Sequence, residues 1–402
     1  MPSRPSARPS RRGRVLGALA ATVLLAGCDP RDSMTAPVAP EGGDIASLWW
    51  FIFWLGLAVY IAVMALLAVP LWRTLRARRG RLAARDTQRE AAGESDPGRG
   101  FADSDEPTPG LGREAAARGG RLAMPPAAIE DEPLAVAPGA ERPDEEADRR
   151  VQGRLIWLGG IILPAVILLV LLVAANLTSR SVAHVAEDED LVIEVIGHMF
   201  WWEAHYPEHD VTTANEIHVP TDQRVRLELH TEDVIHSFWI PRVHGKIDMI
   251  PGQENILTFT VEEPGRYRGQ CAEYCGIAHA QMVKFLVAQE PGDFDDWIAA
   301  QAEPAAEPET ETGRAGQQAF FEYGCAECHT VDGHGAVGGV GPDLTHLGTR
   351  DTLASGIVPN DREHLAELIL EPWSVKAGNP MPPTQVPDDD LDALLDYLEG
   401  LE

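Results

Sequence analysis

Two stretches of 25 residues, 48–72 and 155–179, contain no charged side chain. As helices rising 1.5 Å per residue they reach about 38 Å, enough to cross a hydrocarbon core of about 30 Å. Lipid offers the backbone no hydrogen-bond partners, so a helix is the form each run is expected to take. Trp49, Trp50 and Trp54 stand near one end of the first run and Trp72 near the other, as interfacial anchors. Arg73, Arg76, Arg78, Arg79 and Arg81 follow that run, and Arg149, Arg150 and Arg154 lead into the second. The excess of arginine places the intervening loop on the cytoplasmic side and everything after Ser179 outside. Two helices, over 45–73 and 154–179, are therefore expected to form a transmembrane hairpin in a bacterial plasma membrane.

The flanking segments fit that topology. Arg11, Arg12 and Arg14 precede an apolar run that ends in Leu25-Ala26-Gly27-Cys28. A basic start, a short apolar segment and a small-residue end read as an export signal over 1–27. The last four residues resemble a bacterial lipoprotein cleavage site, which would leave Cys28 lipidated. The loop, 74–150, is rich in Gly, Pro, Ala, Arg and acidic residues, cannot bury a core, and is expected to be disordered. Charge is divided unevenly. Residues 181–402 hold 42 acidic and 11 basic side chains, a balance of −31, against −29 for all 402 residues. An acidic exported half can steer basic partners or simply stay soluble; no nucleic-acid partner is expected.

Beyond the second run the pattern changes to short alternating segments. Residues 191–197, 216–220, 224–230, 255–261 and 282–288 are expected to be strands, with Pro251-Gly252 and Pro264-Gly265 at turns. They predict a small antiparallel sandwich or barrel over 186–290. Within it, Cys271, Cys275, His279 and Met282 fall in twelve residues, with His236 upstream. Two thiols, imidazoles and a thioether form a soft donor set suited to copper. Three readings compete: a disulfide, which needs neither His nor Met; zinc, which has little use for a thioether; and ordinary core packing of His279 and Met282. His198, His205, His209, His218, His230 and His244 read as surface or edge residues.

These residues, in the pattern Cys-x-x-x-Cys-x-x-x-His-x-x-Met preceded by a His, resemble subunit II of the haem-copper cytochrome c oxidases. The resemblance implies a cupredoxin Greek key carrying binuclear copper A. Cys271 and Cys275 would bridge two coppers, with His236 and His279 each capping one. Met282 and the backbone carbonyl of Glu273 would be weak ligands. It also implies that the Glu273 side chain reaches a magnesium at the contact with subunit I. Two segments, Ile235-His236-Ser237-Phe238-Trp239-Ile240-Pro241 and Gly245-Lys246-Ile247-Asp248, look like the family's own. The chain departs from the pattern twice. Phe200 stands where the family has the Trp thought to receive the electron, so either Trp201 is expected to take over that role or the route is expected to differ. Arg154 lies near where many relatives carry a proton-admitting glutamate.

Residues 301–313, rich in Pro and Glu, read as an extended tether. A second redox module follows over 314–402. Cys325-Ala326-Glu327-Cys328-His329 is the c-type haem attachment pattern, two thiols for the haem vinyls and a His for the iron. Met381 is the only methionine after it, in the stiff stretch Gly378-Asn379-Pro380-Met381-Pro382-Pro383, and is expected as the sixth ligand. His346 or His364 is the runner-up. Helices are expected over 316–323 and 388–401, the latter with Leu391, Leu394, Leu395 and Leu398 on one face. Gly341-Pro342-Asp343-Leu344 looks like the class I cytochrome c loop near the axial His, and Trp373 is expected at the haem edge or in the core. No cysteine remains for a disulfide.

The chain is thus expected to be a three-part protein: a transmembrane helical hairpin, an all-β cupredoxin and an all-α cytochrome c. The resemblance implies a caa-type oxidase subunit II that passes electrons from an external donor, another cytochrome c or a bc-type complex, through haem c and copper A to subunit I. Oxygen would be reduced in subunit I, and subunit III would complete the partners. A quinol oxidase subunit lacks the copper ligands, and a nitrous oxide reductase needs a second, His-rich copper domain. A membrane-tethered copper carrier or oxidase assembly factor is the alternative from another class, and it has no evident need for a haem.

Overall fold

A computed structural model describes residues 33–91, 145–183 and 190–402. The expected signal, Cys28 and the middle of the loop lie outside these described residues. Helix α1 spans Pro40–Ala91. It is longer than the apolar run because Leu75, Arg76, Ala77, Ala83 and Ala84 are strong helix formers, so the chain does not leave the helix at residue 74 as expected. Helix α2, Glu145–Leu155, likewise occupies the far end of the expected loop. It continues through a π-helical stretch, Ile156–Ile162, into α3, Leu163–Val182. Gly159 and Gly160 sit in that stretch, where a bulge is least hindered. Both helical runs are long and apolar enough to cross a membrane.

The β module is built from ten strands: β1 Leu191–His198, β2 Trp201–Tyr206, β3 Val211–Ala214, β4 Glu216–Pro220, β5 Arg224–Thr231, β6 His236–Phe238, β7 Ile247–Met249, β8 Asn255–Thr260, β9 Gly265–Gln270 and β10 Val283–Gln289. The five expected strands are all present. Five others, β2, β3, β6, β7 and β9, were not expected. One sheet runs β3-β2-β1-β5-β8, another β4-β10-β9, and β6 pairs with β7. The sheets are mixed rather than antiparallel: β1 runs parallel to β5, and β4 parallel to β10. Those pairings join strands distant in sequence, which alternation within one strand does not report. Alternation does set the faces. In β1 every second residue is buried, so Ile193 and Val195 point into a core shared with Trp202, Leu227, Ile217 and Leu286. Val38, ahead of α1, joins this core by donating its N–H to the Arg242 carbonyl (2.9 Å) and accepting from the Glu262 N–H (3.0 Å).

Helix α4, Pro291–Gln301, leads out of the β module. The C-terminal module then packs α5, Glu311–Glu322, against α8, Asp388–Glu399. Gly316 permits this contact, since a Cβ there would lie 1.9 Å from the Ala393 carbonyl oxygen. Leu394, Leu395 and Leu398 bury the predicted face of α8. Shorter helices α6, Arg362–Leu370, and α7, Pro372–Val375, complete the module. The segment expected as an extended tether is docked. Ala305 is buried, its N–H donates to the Asp332 carbonyl (3.1 Å), and the buried His346 ring bonds the carbonyls of Gln301 and Glu303. Short apolar residues between the prolines give this stretch something to bury, which its overall composition hid. Both modules lie in one compact unit.

Candidate metal centre and haem cavity

The loop between β9 and β10 carries Cys271, Cys275, His279 and Met282, and β6 brings His236 to them from across the β module. Cys271 Sγ and Cys275 Sγ are 3.9 Å apart. His236 Nδ1 stands 3.8 Å from Cys271 Sγ, and His279 Nδ1 stands 3.7 Å from Cys275 Sγ. Met282 Sδ lies 3.8 Å from Cys275 Sγ, and the Glu273 carbonyl oxygen lies 3.1 Å from Cys271 Sγ. A metal holding thiolate at about 2.3 Å and imidazole at about 2.0 Å sets those donors about 3.5 Å apart, so the spacing fits metal between them. No S–S bond joins the pair; both cysteines are free and buried. The arrangement is also twofold: each sulfur has its own imidazole and its own weaker donor.

The surroundings fix protons as a metal site requires. Asp233 Oδ1 accepts from His236 Nε2 at 2.8 Å; a carboxylate only accepts, so Nε2 carries the proton and Nδ1 is left as a ligand. Burial alone would raise Asp233, but bonds from His236 and from the Val234 and Met199 N–H groups outweigh it and keep the carboxyl ionised. Burial opposes charge on His236 too, yet Cys271 and Asp233 together raise its pKa. The hydrogen bond with Cys275, helped against burial by His236, lowers the Cys271 thiol pKa, while the same contact raises that of Cys275. The pair therefore holds one proton, which a metal would displace. Beneath them Lys284 is fully buried, its Nζ 3.8 Å from the Trp202 ring centroid and donating to the Gln270 carbonyl (3.1 Å).

The second site is an apolar cavity in the C-terminal module, with about 1240 Å³ of empty space, part of it open to solvent. Cys325, Cys328, His329 and Met381 all line it. His329 Nδ1 lies 2.8 Å from the Pro342 carbonyl oxygen, an acceptor only, so Nδ1 carries the proton and Nε2 is the free ligand nitrogen. Burial holds the His329 pKa below its usual value, which keeps the ring neutral. Gly341 gives the ring room, since a Cβ there would meet His329 Cε1 at 2.6 Å. Asn379 Oδ1 accepts from the Met381 N–H (3.1 Å) and steadies the methionine loop. These residues fit a c-type haem: two thiols, a neutral imidazole and a thioether around an apolar slot.

Among the alternatives, His346 does not line this cavity but bonds the carbonyls of Gln301 and Glu303, and His364 bonds Asp361 at the surface. Trp373 departs from expectation. It is 59% exposed, in neither the cavity nor the core, and its Nε1 donates to the Asn379 carbonyl (2.8 Å), bracing the methionine loop from outside. Phe200 and Trp201 are buried and line the haem cavity, Trp201 stacked on His198 at 4.3 Å. Sequence reasoning missed Asp233, whose place three residues before His236 was the available signal.

The chain is similar to known proteins in both modules. Residues 209–289 match the family described as cytochrome c oxidase subunit II, periplasmic domain, and residues 313–402 match cytochrome c. Cytochrome c oxidase subunit 2 of Alkalihalophilus pseudofirmus is 35% identical over 267 residues, covering 64% of this chain and 77% of the relative. The subunit 2 of Bacillus subtilis is 32% identical over 277 residues, covering 63% and 77%. Among solved structures, the periplasmic domain of subunit II of cytochrome oxidase of Bradyrhizobium japonicum is 29% identical, covering 29% of this chain and 96% of that one at a TM-score of 0.28.

Proposed function

The chain belongs to the cytochrome c oxidase subunit 2 family, and on that footing we propose that its two sites work in series, haem first and copper second. It is the electron-transfer subunit of an oxidoreductase complex, with a cytochrome c fused at its C-terminus in the caa-type arrangement. In this reading Cys325 and Cys328 would hold a haem covalently, with His329 and Met381 offered to its iron. Cys271, Cys275, His236 and His279 would hold a binuclear copper centre, with Met282 and the Glu273 carbonyl as weaker donors. When bound, both groups supply one-electron redox chemistry, with Met–His ligation raising the haem potential toward that of a carrier. The Glu273 side chain is the ligand offered to a magnesium shared with subunit I.

The protein's own part is to hold these donors still. Two thiolates set 3.9 Å apart by one short loop, each with its own imidazole, are the observation that carries the reading. A rigid donor set changes little between oxidation states, and a small rearrangement means fast transfer. The haem cavity is lined mainly by apolar side chains, and Phe200 and Trp201 form part of its wall. The two apolar helices anchor the chain in the bacterial plasma membrane, with both redox modules on the periplasmic or extracellular side. Subunit I receives the electron for oxygen reduction, subunit III completes the complex, and the external donor is a soluble cytochrome c or a bc-type complex. Rapid mixing of the oxidised full-length chain, loaded with copper and haem, with a reductant of the haem tests the order. Haem absorbance should change first and the copper band bleach afterwards with first-order, concentration-independent kinetics. Reduction of copper that never passes through the haem would contradict it.

A further inference from the structure

The β module and the haem module meet at two polar anchors and an apolar seam. At the first anchor Arg266, 3.8 Å over the Phe285 ring, donates to Glu216 (2.7 Å), Thr352 Oγ1 (3.2 Å) and the Asp351 carboxylate. Glu216 also accepts the Thr352 N–H (3.1 Å) and the Thr352 hydroxyl (2.7 Å). In the seam Gly356 and Gly378 allow close approach: Cβ atoms there would lie 2.7 Å from the Phe285 ring and 3.1 Å from Ile277 Cβ.

The second anchor is less ordinary. Lys376 of the haem module is 3% exposed and has three acceptors for its three N–H groups: the Phe200 carbonyl at 2.5 Å, Ser355 Oγ at 2.9 Å and the Ala354 carbonyl at 3.3 Å. Ser355 in turn donates its hydroxyl to the same Phe200 carbonyl at 2.8 Å. Only the Phe200 carbonyl belongs to the other module. No carboxylate is among these partners, and burial depresses the ammonium to about 7, so the contact is costly in desolvation. A methionine would fill the same space without that cost and would leave the Phe200 carbonyl to Ser355 alone.

Phe200 is also the residue that touches both sites. It lines the haem cavity, and its ring lies so close to Gly276 that a Cβ there would be 2.9 Å from Cζ. Gly276 has φ +135 and directly follows Cys275. One packed path from cavity to copper loop therefore runs through the Phe200 ring, whose backbone the haem module grips, beside the close approach of Gly378 in the methionine loop to Ile277.

We propose that Lys376 is a positioning residue for electron transfer within the chain: with Ser355 it pins the haem module to the Phe200 carbonyl and keeps the Phe200 ring packed between the haem cavity and the copper loop. The inference rests on the haem-to-copper reading above. The transfer moves one electron, oxidising the haem and reducing the copper centre by one each, with no proton moved and no bond made or broken.

The test uses the full-length chain loaded with copper and haem, comparing wild type with Lys376→Met and the milder Ser355→Ala. Copper and haem content are measured first; wild type lacking either group overturns the underlying reading and this proposal with it. With both present, the haem is reduced by a light pulse and its reoxidation by copper is followed. Lys376→Met should slow that step roughly tenfold or more beyond what any measured change in haem potential accounts for, as misplacement of reacting groups does, with metal content and haem spectrum unchanged. Hydrogen exchange at the amides of residues 199–202 should rise in the same variant. Ser355→Ala should shift both readouts in the same direction by less, and decides the matter if Lys376→Met loses its cofactors. Rates within twofold of wild type and unchanged exchange, with both cofactors bound, overturn the role of Lys376 alone.

Discussion

Asp233 and the Pro342 carbonyl do the same work at different sites: each takes the proton of one ring nitrogen and leaves the other as a ligand. Outer partners of this kind affect metal affinity strongly. Asp233→Ala should weaken copper binding by about ten- to a hundredfold, measured as copper retained against a competing chelator; retention equal to wild type would remove Asp233 from the account. Met381→Ala should leave the haem attached through Cys325 and Cys328 but lower its potential and turn it high-spin, read by redox titration and absorbance. Most residues that would contact the metals were legible because they crowd into short motifs, Cys271 to Met282 and Cys325 to His329; His236 lies outside them and was marked by the resemblance, and Met381 by being the only methionine after the haem motif. Asp233, Ser355 and Lys376 were not, because their roles depend on contacts, and an isolated acid, serine or lysine has no pattern to show.

At the scale of the element, legibility followed hydrophobic alternation. Strands β1, β5 and β10 alternate and were foreseen, as were the less regular β4 and β8. β9 hides its pattern among arginines and glycines, β6 and β7 are three residues long, and the parallel pairings depend on partners far away in the chain. One of these elements carries a pH dependence. His218 of β4 stacks on Trp297 of α4 at 4.0 Å and bonds Gln289 at 2.8 Å, fixing the helix that leads toward the haem module. Burial lowers its pKa from 6.5, outweighing Gln289, Glu216 and Asp351, which raise it; Arg266 adds to the lowering. The folded state therefore holds the ring neutral while the unfolded chain takes up a proton near 6.5. This contribution to stability is complete above that pH and is lost as pH falls through 6.5 toward the lower folded value. Thermal unfolding of the full-length protein between pH 7.5 and 5 should show a steeper loss for wild type than for His218→Gln, and equal slopes would contradict the assignment.

Across the whole molecule, the main departure from the sequence reading is that the cytochrome is docked rather than tethered. Residues 301–313 looked like a spacer, yet Ala305 is buried and His346 ties their backbone down, while Arg266 and Lys376 lock the modules face to face. A loose tether raises effective concentration but leaves docking to be searched for at each turnover; a fixed interface removes that search. Phe200 and Trp201, expected where the electron from cytochrome c is received, are covered by the haem module and line its cavity. All of this rests on two cofactors being held by one chain. The most direct measurement is electron paramagnetic resonance, with copper and haem counts, on the full-length chain purified in detergent and loaded with both. The account predicts one unpaired electron shared equally over two coppers, two coppers per chain, and one low-spin haem. A single-copper signal, or copper that does not stay bound, would contradict it.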